Sequence, residues 1–228
     1  MNIWGDFVLL LFPETCLACR GGLLANEAPL CSACRVSLPR TDYLKDPNNP
    51  VAQKFWGRLP LLHASAYLHF VKQGKTQQLI HALKYNGHQE VGVLLGQLYG
   101  HELGKAGVSP AFDLVLPVPL HERKLQRRGF NQSDSFAQGL AEALELPWSA
   151  SALIRTKATQ TQTRKSRSER WENVASIFQL AQPETVRDKH VLLVDDVLTT
   201  GATIEACGQA LLAAGCAGLS VAAIAARG

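Results

Sequence analysis

Residues 191–203, Val-Leu-Leu-Val-Asp-Asp-Val-Leu-Thr-Thr-Gly-Ala-Thr, constrain the fold of this chain more than any other stretch. The run Val191 to Val194 has no polar face, so a strand formed there must be covered on both sides, as in a parallel sheet between helices. The periodic stretch from Thr203 to Leu212 reads as a helix. Between them, Thr199, Thr200, Gly201, Ala202 and Thr203 make a small, hydroxyl-bearing turn. Such a turn would aim backbone N–H groups at an anion, where the helix dipole adds partial positive charge. Asp195 and Asp196 stand one step earlier, at the strand's carboxyl end. Carboxylates beside a bound phosphate would repel it, so their natural partners are hydroxyls or a hard cation; a ribose phosphate with Mg²⁺ supplies both. A solvated Asp-Asp pair on an ordinary strand–turn–helix is the plainer alternative.

This segment resembles the phosphoribosyl-pyrophosphate (PRPP) loop of type I phosphoribosyltransferases. The resemblance implies an α/β fold, a mostly parallel sheet flanked by helices. It also implies that Asp195 and Asp196 hold the ribose 2′ and 3′ hydroxyls while Thr199 to Thr203 bind the 5′-phosphate.

A chain of 228 residues can bury such a core and still carry a small appended module. Cys16, Cys19, Cys31 and Cys34 form C-x₂-C-x₁₁-C-x₂-C. No export signal is expected: Phe7 to Phe12 is apolar but short, follows Asp6 with no basic region, and runs into Pro13. The chain is therefore expected in the cytoplasm, where thiols stay reduced and metal binding is favoured over disulfides. Two Cys-x-x-Cys turns can place four sulfurs tetrahedrally around Zn²⁺, and a four-thiolate site leaves no position for substrate, so its role would be structural. A redox Cys-x-x-Cys is the alternative. Cys207 and Cys216 read as small buried residues. The polar stretch from Arg40 to Pro60, broken at Asp46-Pro47-Asn48-Asn49-Pro50, marks the expected boundary. Residues 1–50 are expected to form the zinc module and linker, and 51–228 the phosphoribosyltransferase-like domain. The uncharged stretch from Ala206 to Ala226 is divided by Gly215 and Gly218 and reads as a helix and a buried strand, without membrane insertion.

The formal charge of +4 does not by itself argue for nucleic acid, since four thiolates around one Zn²⁺ contribute about −2 and leave about +2. The placement of charge says more. Phe112 to Pro119 reads as a strand closed by two prolines, followed by a turn-like basic segment, Leu120 to Gly129, with Arg123, Lys124, Arg127 and Arg128. An amphipathic helix then carries Phe136, Leu140 and Leu144, capped by Asn131 or Ser133. A third cluster, Arg155 to Asn173, is polar throughout and reads as a long loop. Its charges could fold over a pyrophosphate, embrace single-stranded nucleic acid beside Trp171, or simply be solvated.

Taken in order, the Cys-x-x-Cys pairs, Lys84-Tyr85-Asn86-Gly87, Pro117-Val118-Pro119-Leu120, Arg128-Gly129-Phe130-Asn131-Gln132, Gln160 to Asn173 and the Asp-Asp loop resemble the ComF/GntX family. These are phosphoribosyltransferase-like proteins with an amino-terminal zinc module, associated with natural competence and the uptake of DNA. The resemblance covers nearly the whole chain. It implies that the region after Pro119 is the pyrophosphate loop and that Gln160 to Asn173 is a flexible catalytic loop. Pyrophosphate would then leave C1 of PRPP under displacement by a nitrogen nucleophile. Asp195, Asp196 and Arg164 would act catalytically, Thr199, Thr200, Gly201, Ala202, Thr203 and Arg128 would hold phosphates with Mg²⁺, and Leu61 to Phe70 would form the hood that recognises the acceptor. The scattered histidines lack metal spacing, and no Walker loop is present. Three readings stay open: a phosphoribosyltransferase of unknown acceptor, a single-stranded DNA-binding competence protein that meets other competence proteins, and a PRPP-sensing regulator.

Overall fold

The computed structural model describes residues 14–108, 112–156 and 177–227. The chain opens with the cysteine module, which contains the short helix α1 (Ser32–Val36), and continues through a single turn of helix, α2 (Pro50–Gln53). Strand β1 (His63–His69) is followed by helices α3 (Lys75–Tyr85) and α4 (Gln89–Lys105), then by β2 (Leu114–Pro117), α5 (Glu122–Arg128) and α6 (Gln132–Leu144). The short strands β3 (Leu153–Arg155) and β4 (Phe178–Leu180) pair antiparallel, and β5 (His190–Leu198), α7 (Ala202–Ala213) and β6 (Gly218–Ala226) complete the fold.

The main sheet has the order β1-β6-β5-β2 and is parallel throughout. All nine residues of β6 and the first five of β5 are buried, as in a sheet covered on both faces, and the two polar residues among them, His190 and Ser220, pair at 2.9 Å. Leu95, Tyr99, Phe136 and Leu140 from α4 and α6 cover one face, whereas Ile204, Cys207 and Leu211 of α7 join Val51, Phe55 and Leu59 on the other. Helices α4 and α6 approach backbone to backbone: a Cβ on Gly139 would stand 2.0 Å from the Val93 carbonyl oxygen, and one on Gly96 would stand 2.4 Å from that of Phe136. The stretch from Ala206 to Ala226 divides into helix and strand as expected, and no helix among the described residues is long and apolar enough to cross a membrane.

Both margins of the sheet are closed. Beside β1, the Thr41 N–H donates to the Tyr67 carbonyl at 2.9 Å and the His69 N–H to that of Pro39 at 2.8 Å. Beside β2, the Val115 N–H donates to the Pro147 carbonyl at 3.0 Å. The Asp46 to Pro50 stretch, read as a breaker, is a packed joint: the buried Asn49 caps α2 and donates to the carbonyls of Asp46 and Ala64, both at 2.8 Å. Cys16, Leu30, Cys34 and Leu38 of the cysteine module lie in the same apolar cluster as Leu192, Val194 and Ile224 of the sheet.

Two expectations are corrected. Leu120 to Gly129 contains a helix in place of a turn. Glu122 sits in its first turn and Arg127 and Arg128 in its last, which suits the helix dipole, while His121 caps the start and Gly129, at φ 83°, ends it. Leu61 to Phe70 is no hood, since β1 within it is a buried edge strand of the main sheet.

Candidate functional site

Strand β5 carries its ladder past the carboxylates, with Asp195 opposite Ala223 and Leu198 opposite Ala226. The carboxylates therefore stand on a fixed backbone. Beyond it, Thr199 and Thr200 are exposed, Gly201 is buried at φ 79°, and Ala202 and Thr203 open α7 exposed to solvent. Glycine is required at that bend twice over, by its left-handed backbone and because a Cβ would meet the Phe55 ring at 2.8 Å. Arg58 braces the turn by pairing with the buried Glu205 of α7 and donating to the Thr200 carbonyl at 3.4 Å. The helix thus presents its first-turn N–H groups, which have no intrahelical acceptors, beside exposed threonine hydroxyls.

Three elements converge on the carboxylates. Asp195 Oδ1 accepts from the Ser133 hydroxyl of α6 at 3.1 Å and from the Asp196 N–H at 2.8 Å. Burial, reinforced by the charge of Asp196, pushes the Asp195 carboxyl up to about 7. Asp196 is 5% exposed; its Oδ2 accepts no aligned hydrogen bond, yet the Lys84 ammonium at the end of α3 stands 2.9 Å away as an ion pair. Next to Lys84, the ring of Tyr85 lies 5.6 Å beneath the Arg128 guanidinium, which also bonds Gln132. Asn131 caps α6 and ties it to the Val118 carbonyl at 3.0 Å, and the Val118 N–H donates to the Val194 carbonyl at 2.8 Å. The Lys84, Pro117, Arg128 and Asp195 motif blocks, far apart in sequence, are thereby stitched into one region. This donor set suits a hard cation: two adjacent carboxylates, one without an aligned donor, on a rigid strand.

Arg164, with the whole Gln160 to Asn173 segment and Phe7 to Phe12, lies outside the described residues. The last described residues on either side of the gap, Thr156 and Ile177, are joined by an N–H to carbonyl bond of 2.8 Å. The sequence pattern assigns no role to Lys84, Arg58 or Phe55, and none to Ser133 beyond a possible cap. Their partners lie too far along the chain for any local pattern to announce them.

The four cysteine sulfurs lie within 4.8 Å of one another, with Cys19 and Cys31 at 3.9 Å. A tetrahedron with Zn–S bonds of about 2.3 Å has S···S edges of about 3.8 Å, so the cluster has the right size for the ion. Backbone N–H groups of Gly21, Cys31 and Cys34 point at the sulfurs of Cys19, Cys16 and Cys31 at 3.4–3.5 Å. None of the four is in a disulfide.

A phosphoribosyl transferase domain model matches residues 130–228. The chain is 33% identical over 230 residues to the DNA utilization protein YhgH of Escherichia coli (strain K12), covering 93% of this chain and 97% of that protein. It is 27% identical over 210 residues to competence protein F of Haemophilus influenzae, covering 85% and 89%. The chain belongs to the ComF family. This ComF-family chain has the type I phosphoribosyltransferase fold, its parallel sheet flanked by helices. A solved structure of the allosteric regulatory enzyme of purine biosynthesis aligns with 59% of the ComF-family chain and 26% of its own, at 24% identity and a TM-score of 0.43.

Proposed function

We propose that this chain binds PRPP with Mg²⁺ at the carboxyl end of β5 and transfers its phosphoribosyl group to a nitrogen nucleophile, in the service of DNA utilisation. The observation that carries the reading is the meeting of Asp195 and Asp196 with the Gly201 turn, where Lys84 and Ser133 arrive from two other elements. In the transfer, the C1–O bond to pyrophosphate breaks as the C1–N bond forms. The bonding pair leaves with pyrophosphate, and the nucleophile gives up its proton to solvent. Mg²⁺, when bound, would neutralise charge on the pyrophosphate oxygens.

The chain's own residues bind and orient. Thr199 to Thr203 receive the 5′-phosphate at the start of α7. Asp195 accepts ribose hydroxyls once it is ionised, with Ser133 fixing its orientation, and the pair of carboxylates favours positive charge developing at C1. Helix α5 carries Arg123, Lys124, Arg127 and Arg128, of which Arg128 lies over Tyr85 beside Lys84; Arg128 is assigned to phosphate and Arg164 to the departing pyrophosphate. The domain match and the names of the E. coli and H. influenzae relatives support, respectively, the phosphoribosyl chemistry and the link to DNA.

Calorimetric titration with PRPP and Mg²⁺ tests the reading. The wild type is expected to bind, and Asp195→Asn/Asp196→Asn to bind at least about 100-fold more weakly, since each lost charge-assisted bond costs about 1.5–3 kcal/mol. Absence of binding to a folded, zinc-loaded wild type sinks it.

A second reading, single-stranded DNA binding, is favoured by one observation: α5 has no buried residue and carries four basic side chains. Replacing Arg123, Lys124 and Arg127 with Gln should flatten the slope of log K against log salt by about 2, at about 0.7 per lost contact to a single strand. An unchanged slope removes α5 from DNA binding.

A further inference from the structure

A cleft of about 690 Å³ separates the first cysteine knuckle from α3. Its volume falls within the usual range for sites that enclose a small organic ligand. Ala82 and the half-buried Leu17 make an apolar part of the floor, beside the buried Cys16 of the four-cysteine cluster. One stripe of α3 and its C-terminal cap forms a wall of amides, Gln77, Gln78 and Asn86, with the His81 ring among them. Across from it stands Arg20. No carboxylate lines the cleft among the described residues.

Two features set this surface apart from a chance groove. Arg20 and Gln73, both in its lining, hold left-handed backbone at φ 64° and 57°, a conformation unfavourable for long side chains that persists where surrounding structure enforces it. The Gln73 N–H donates to Gln77 Oε1 at 2.8 Å, which fixes that amide and leaves its NH₂ as a donor. In addition, α3 ends at the candidate phosphoribosyl site: Asn86 lines the cleft, and Lys84, two residues earlier, pairs with Asp196.

We infer that this cleft binds a nucleobase. Primary amides carry a donor and an acceptor side by side, matching the alternating N–H and C=O or ring-nitrogen edge of a base. The His81 ring and the apolar floor offer faces for a planar heterocycle, and Arg20 supplies a donor fork for a carbonyl oxygen or a flanking phosphate. An amine ligand would find no carboxylate among the described lining residues, and a purely apolar one would leave the amides unpaired. The base site is independent of the phosphoribosyl reading, since no residue that lines the cleft belongs to the Asp195 and Asp196 site.

The test is equilibrium dialysis of the zinc-loaded full chain against labelled adenine, hypoxanthine, cytosine and uracil, and in parallel against short single-stranded oligonucleotides of each base. Arg20→Gly and Gln73→Gly keep a backbone that glycine adopts freely, and Gln78→Ala preserves the helix, so these variants are expected to fold, as circular dichroism would check. At least one base should bind, with affinity about tenfold lower in Arg20→Gly and Gln78→Ala, equivalent to one good hydrogen bond. Binding of free base identifies a small-molecule ligand, and binding only within an oligonucleotide identifies a base presented on a strand. Either supports the site if the variants weaken it. Failure of every base in both forms, or binding indifferent to the variants, overturns it. Titration of the same samples with PRPP and Mg²⁺ separates the two claims, because the cleft variants should leave that affinity unchanged while Asp195→Asn/Asp196→Asn should abolish it.

Discussion

At the scale of single residues, Asp195 is the side chain whose state decides the most. Its carboxyl is pushed up to about 7 by burial and by Asp196, so the folded state holds a proton that the unfolded chain releases near pH 4. The stability this confers is complete below about pH 4 and is lost as pH rises through about 7. Asp195→Asn should remove the loss: denaturant titrations are expected to show wild type falling behind the variant by on the order of 2–4 kcal/mol between pH 4 and pH 8. An equal pH dependence in both would contradict the placement of Asp195. Ligand affinity should move the other way, rising through about pH 7 as the carboxylate forms. Gly201→Ala should cost about 1–3 kcal/mol and weaken phosphate binding, because φ 79° and the Phe55 ring both oppose a Cβ. The Asp-Asp turn was legible because its chemistry is contiguous. Ser133 lies 62 residues from Asp195 and Arg58 147 from Glu205, and no periodicity links such partners.

At the scale of elements, the buried strands and the last helix are where the apolar runs put them, since a fully covered strand needs no alternation. Helix α5 escaped because it buries nothing, and amphipathic periodicity is silent for a helix solvated all round. The hood assignment failed for a related reason: Ala-Ser-Ala-Tyr in β1 looks unremarkable until β6 is beside it. The contact between α4 and α6 depends on glycines whose spacing, Gly92, Gly96 and Gly100, reads as a liability in isolation. Gly139→Ala should therefore destabilise the protein by about 1–3 kcal/mol or more, measured by urea titration, although alanine is the better helix former. A neutral or stabilising result would mean that the helices can separate freely.

At the scale of the molecule, the cysteine module and the sheet share one apolar cluster, so a metal held by the four cysteines should report on the whole fold. Stripping zinc with a chelator, or Cys34→Ser, is expected to lower the main thermal transition by several degrees, with zinc content followed by mass spectrometry. A lost early transition with the main one unmoved would show that the module is thermally independent. The closed margins of the sheet add a consequence. Pro39 and Thr41, which shield the β1 backbone, follow Cys34 by only a few residues. If disorder in a metal-free cysteine module spread to these residues, it would uncover a row of unpaired N–H and C=O groups, the template on which other chains add strands. Metal supply during synthesis would in that case influence how much of the protein stays in solution, independently of any ligand.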